Sequence, residues 1–155
     1  VSDKRQSGRN RLHFVLLAIT VCFWTAMFAG THWLELPVAQ GLTNYDKLLH
    51  WSANCGLAFL IALCLSTWRP VGLKKLGGIF AVVFGYAIFD ELSQIPVGRD
   101  CEFFDAVADC TGGLSGLAAF VTLRSAVQRL APARANSRGQ GRSACDSTGE
   151  VASAY

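Results

Sequence analysis

Charge is scarce in this chain. Asp, Glu, Lys and Arg together make up 16% of its 155 residues. Two stretches, Leu12 to Thr31 and Leu48 to Thr67, contain none of the four. Each is about as long as a helix rising 1.5 Å per residue must be to cover a bilayer core of about 30 Å. Paired cysteines are also lacking. The six Cys include no C-x-x-C. Cys22, Cys55, Cys64 and Cys110 sit in apolar runs, where Cys behaves as a small apolar residue. Cys101 and Cys145 fall on opposite sides of the topology derived below, so they cannot pair. A disulfide framework and a zinc site of the usual spacing are therefore not expected. There is no internal repeat, phosphate-loop signature, nucleophile motif or cofactor fingerprint. No metal and no cofactor are expected from the sequence.

What the chain does have is hydrophobicity, at 52% of residues, arranged in four runs. The third is short. Leu76 to Phe89 is mostly apolar, and a full span is reached only by continuing through Asp90, Glu91 and Gln94 to Ile95. An acid at membrane depth costs about 3 kcal/mol unless it is paired or wetted, so it is usually there for a purpose. The fourth run, Phe103 to Leu123, carries Asp105 and Asp109 near its start.

The fold class expected is all-α, a polytopic membrane protein with a bundle of four transmembrane helices. The spans are about 12–31, 48–67, 76–95 and 103–123, within a domain of residues 12–127. A basic segment, 1–11, precedes the domain. Residues 128–155, which become rich in Ala, Arg, Ser and Gly, read as a disordered cytoplasmic tail. The first run is long for a signal peptide and no small-x-small cleavage site follows it, so it reads as a span.

Twelve of the fourteen Lys and Arg lie before the first span, between the second and third, or after the fourth. This is a positive-inside pattern that places both termini in the cytoplasm. The net charge of +3 is thus expected to meet anionic headgroups rather than nucleic acid. The exceptions are Lys47 and Arg99. Both fall among Asp46, His50, Asp90, Glu91, Gln94, Asp105 and Asp109, at the non-cytoplasmic ends of the spans.

Residues four apart share a helix face. That spacing relates Asp46 to His50, Asp90 to Gln94 and Asp105 to Asp109. Gly112 and Gly116 belong to the same stripe as Asp105 and Asp109, and their small-x-x-x-small spacing permits close helix packing. Asp90 points about 100° away from Glu91, which makes Glu91, on the face of Gln94, the expected central acid. Five acids face two or three cations, so at least one acid is expected to hold its proton. Pro96 and Gly98 end the third helix and turn Arg99 back. Trp33, Trp51 and Trp68 read as an interfacial belt, His13 and His32 as interfacial. Gly77, Gly78 and Gly85 are expected to serve packing.

These blocks, Tyr45-Asp46-Lys47-Leu48-Leu49-His50-Trp51, then Asp90-Glu91-Leu92-Ser93-Gln94, Gly98-Arg99, and Asp105-x-x-x-Asp109-x-x-Gly112-x-x-x-Gly116, resemble the VanZ-like membrane protein family. The resemblance covers about Asp46 to Gly116. Asp109 stands where many members have Asn, and the turn between Gln94 and Arg99 is a residue shorter than in some. The resemblance implies the bacterial cytoplasmic membrane and an association with susceptibility to the glycopeptide teicoplanin. It does not imply a reaction.

Three functional readings follow. In the first, the cluster binds a lipid or lipid-linked cell-envelope molecule. Arg99 and Lys47 would hold an anionic headgroup, with Glu91, Gln94 and Asp109 bonding its hydroxyls or amides. In the second, a membrane enzyme uses His50 with Glu91 or Asp105 as an acid–base pair. In the third, the chain is a small transporter or proton pathway, which four helices could form as a homodimer. A plain interhelical hydrogen-bond network is the structural alternative to all three.

Overall fold

The computed structural model describes residues 2–33, 43–97 and 103–130. They form four helices, α1 (Ser2–Trp33), α2 (Thr43–Ser66), α3 (Leu73–Gln94) and α4 (Phe103–Leu130). A 3-10 turn at Ile95–Val97 follows α3, and there is no strand among the described residues. Each helix contains a segment long and apolar enough to cross a membrane: Gln6–Gly30, Asp46–Ser66, Leu73–Ser93 and Phe103–Leu130. The third of these takes in Asp90 and Glu91. The chain divides into two units, Val1–Val121 and Thr122–Tyr155. Of the second, residues 122–130 are described and are helical. All packing below belongs to the first.

The helices outrun the apolar runs at several ends. α1 begins at Ser2 rather than Leu12. No proline interrupts Ser2 to Arg11, and its Lys, Arg and Gln residues are good helix formers, so the helix propagates outward through polar sequence. α4 likewise continues past Leu123 to Leu130. Residues 131–155, which include most of the expected tail, lie outside the described residues.

The turn between α2 and α3 is built from hydroxyls and glycine. Ser66 Oγ donates to Leu63 O (2.7 Å) and Thr67 Oγ1 to Cys64 O (2.6 Å). These bonds add to the backbone bonds from Thr67 and Trp68 onto the last turn. Pro70 cannot continue a helix in that register. Gly72, in extended conformation, opens α3, and its carbonyl accepts from the Lys75 and Leu76 amides. His13 of α1 hydrogen-bonds Thr67 Oγ1 at 2.8 Å and lies 4.5 Å from the Trp68 ring. His13 thereby ties α1 to the end of α2, a specific contact beyond an interfacial position.

The core runs along α2, α3 and α4. Leu57, Ala58 and Ala62 from α2 pack with Ile79 and Val83 from α3 and with Leu117 and Phe120 from α4, and Phe23, Trp24 and Met27 of α1 pack against them. Small residues set the α2–α4 spacing. A Cβ at Gly112 would collide with the Trp51 carbonyl, and one at Gly116 with that of Cys55. At both points backbone lies against backbone. The α3 glycines behave otherwise, which corrects the packing role expected of them. A Cβ on Gly77, Gly78 or Gly85 would meet nothing within 4 Å, because these residues lie on the outward face of α3. That outward surface is apolar elsewhere too, with Phe14, Val15, Val82, Phe89, Leu114 and Val121 exposed. A water-soluble bundle presents the reverse pattern.

A candidate polar site at one end of the bundle

Four acids are buried, all from α3 and α4: Asp90, Glu91, Asp105 and Asp109. Removing a carboxylate from water is tolerated only with partners, and for Asp105 and Asp109 these come from α2. Lys47 Nζ of α2 donates to Asp105 Oδ1 at 3.1 Å. One turn on, His50 Nδ1 and Asp109 Oδ1 are also 3.1 Å apart. The two contacts run in parallel because Lys47 and His50 share a face of α2 as Asp105 and Asp109 share a face of α4. The glycine stripe below them brings the two helices close enough for both bonds.

Asp109 is the most buried of the acids, at 2% exposure. Its Oδ1 also accepts from Asn54 Nδ2 at 2.6 Å, and Asn54 Nδ2 lies 3.2 Å from the His50 carbonyl. Asn54 was not among the residues expected in the site. Its signal was present, since Asn54 continues the i, i+4 series of Asp46 and His50, but an amide inside an apolar run draws less attention than a charge. Glu91 approaches from α3. A carboxylate oxygen of Glu91, one of Asp109 and a ring nitrogen of His50 lie within 4.8 Å of one another. Asp46, His50 and Asp105 bring one ligand-capable atom each into a second group of the same dimension.

Asp90 and Glu91 turn to different neighbours, as their 100° separation requires, yet both are buried. Asp90 belongs to a second network between α3 and α1. Tyr86 OH donates to Asp90 Oδ1 at 3.4 Å, and Ser93 Oγ donates to the Asp90 carbonyl at 2.8 Å. His32 Nδ1 donates to Phe28 O (3.0 Å) and lies 3.9 Å from Asp90 Oδ1, while Nε2 meets Ser93 Oγ at 2.9 Å. His32 is thus an inter-helix contact, which its position near the end of α1 did not reveal. Beside this network Trp24 and Phe28 of α1 face Val82, Tyr86 and Phe89 of α3 across an apolar groove of about 610 Å³.

Two expected members are not placed. Arg99 lies outside the described residues, and of Gln94 only the backbone, closing α3, is described. Lys47 is engaged with Asp105, which leaves it less available as a clamp for an external anion. Of the two acids considered as partners for His50 in acid–base chemistry, Glu91 brings a carboxylate oxygen within 4.8 Å of it and Asp105 is occupied by Lys47. The direct hydrogen bond is to Asp109, which was not expected in that role. Comparison with protein-family models, with curated proteins and with solved structures finds no match to this chain.

Proposed function

We propose that the chain is a small multi-pass membrane protein of the VanZ-like type, inserted with both termini in the cytoplasm. Its polar cluster opens at the non-cytoplasmic face and binds a lipid or lipid-linked envelope molecule. The observation that carries this reading is the meeting of three polar blocks distant in sequence. Lys47 with Asp105, and His50 with Asp109 and Glu91, converge at one end of the bundle. A network needed only to hold helices together would gain little from four buried carboxylates, since buried charge contributes weakly to stability.

The acid excess favours a ligand rich in donors, such as the hydroxyls and amides of a sugar or peptide headgroup. Arg99 is the residue proposed to meet its phosphate. The groove between α1 and α3 offers an apolar seat for an acyl chain beside the Asp90 network. An effect on glycopeptide (teicoplanin) susceptibility would follow if the bound molecule is a cell-wall precursor.

One contact favours a second reading. His50 pairs with Asp109 through Nδ1, the arrangement in which a carboxylate orients an imidazole whose Nε2 then serves as base. The membrane-enzyme alternative therefore rests on His50 and Asp109.

Native mass spectrometry of gently purified protein tests the binding reading. A defined envelope lipid is expected on the wild-type chain and lost from both Glu91→Gln and Arg99→Ala variants of equal abundance and fold. A lipid retained by both variants, or no specific lipid on any form, would contradict it.

A further inference from the structure

The deepest part of the cluster has the composition of a metal shell. We propose that His50, Glu91 and Asp109 bind a divalent transition-metal ion of the Zn²⁺ or Mn²⁺ class. The three donors come from α2, α3 and α4, and one ligand atom of each lies within 4.8 Å of the others. In a tetrahedral zinc shell with bonds of about 2.1 Å, donor atoms stand about 3.4 Å apart. Small side-chain rotations close that difference. One imidazole with two carboxylates suits zinc or manganese, whereas magnesium favours oxygen and water alone.

Charge supports the same assignment. Glu91 and Asp109 are 4% and 2% exposed, and two carboxylates so close in a dry site repel each other. A dication held between them would offset that repulsion.

A second, independent observation is Asn54. It is buried at 3% exposure, and its Oδ1 has no hydrogen-bond partner. The assignment of its amide is clear, because Nδ2 faces two acceptors, Asp109 Oδ1 and the His50 carbonyl. Oδ1 is therefore a buried acceptor lacking a donor, one amide width from the nitrogen that holds Asp109. Three protein ligands leave a coordination position for water, and a metal-bound water is a strong donor of the kind Oδ1 lacks. Asn54 would then both orient the ligating carboxylate and receive the bound water, as outer-shell residues of metal sites do. The second group, Asp46 with His50 and Asp105, is the weaker candidate. The Lys47 ammonium already sits 3.1 Å from Asp105 Oδ1 and would oppose a dication there. The metal site does not depend on a lipid being bound.

The test uses the full chain purified in detergent, stripped with a chelator and titrated with Zn²⁺ by equilibrium dialysis. Co²⁺ serves as a spectroscopic probe. The expected result is a single ion per chain, with Co²⁺ spectra showing imidazole nitrogen among the ligands. Ser52→Ala, on the exposed face of α2, is expected to bind as the wild type does. Glu91→Gln and His50→Gln should weaken binding by about tenfold or more, and Asn54→Leu, which removes no ligand, by about tenfold. Absence of stoichiometric Zn²⁺ on the wild-type chain would overturn the proposal without recourse to any variant. So would a Co²⁺ site with oxygen ligands alone, or unchanged affinity in Glu91→Gln.

Discussion

Each buried acid here is defined by the residue that answers it. Lys47 is about one-third exposed along its side chain, whereas Asp105 is 7% exposed. The pair is therefore intermediate between a surface ion pair, worth little, and a buried one that is costly to break. Lys47→Met is expected to destabilise the chain by about 2 kcal/mol by stranding Asp105. The double variant Lys47→Met, Asp105→Leu should recover most of that loss. Denaturant unfolding in detergent reads both, and a double variant as unstable as the single would show that Asp105 has other essential partners. Asn54→Leu removes a donor from Asp109 in a drier place, and about 1–3 kcal/mol of stability should go with it. The sequence made part of this legible. His50, Asp105 and Asp109 were visible as polar residues at helical spacing, and Lys47 as a basic residue outside the positive-inside pattern. Asn54 and His32 were missed because a single polar residue within or beside an apolar run looks the same whether it faces a partner helix or a headgroup.

At the scale of elements, the α2–α4 contact depends on what Gly112 and Gly116 lack. Gly112→Ala and Gly116→Ala each place a methyl group against a carbonyl of α2, and backbone cannot rotate aside as a side chain can. Either change should cost about 1–3 kcal/mol. It should also lengthen the His50–Asp109 bond, while Gly85→Ala, facing open space, should be neutral or mildly stabilising through helix propensity. Thermal unfolding of the three variants distinguishes these outcomes. Glycine spacing alone did not separate the α4 glycines from those of α3. Acids on the same stripe marked the α4 face as inward, and no such marker exists for Gly77, Gly78 or Gly85.

α1 is held by histidine at two points, His13 to Thr67 near the start of its apolar run and His32 to Ser93 in its last turn. Replacing both with Leu should loosen α1 by about 0.5–1.5 kcal/mol per bond. Limited proteolysis near Thr31 would report it as faster cleavage.

At the scale of the molecule, the number and order of helices among the described residues followed from hydrophobicity, because three long apolar runs and a fourth completed through Asp90 and Glu91 have few ways to be anything else. Helix ends were less predictable, since propensity carries α1 and α4 beyond the apolar runs into polar sequence. The topology placed polar residues of three helices at one end of the bundle, but which of them meet, His50 with Asp109 and Lys47 with Asp105, was not legible, because no linear spacing encodes it.

An envelope molecule can reach Asp105, His50 and their neighbours only if that end of the bundle faces away from the cytoplasm. Impermeant thiol labelling of intact cells measures this directly, using single cysteines introduced at Arg99 and at Lys75 in a chain whose native cysteines are replaced. Arg99→Cys should be labelled from outside, and Lys75→Cys only after the membrane is opened. The reverse pattern would place the cluster on the cytoplasmic face and contradict the proposed function.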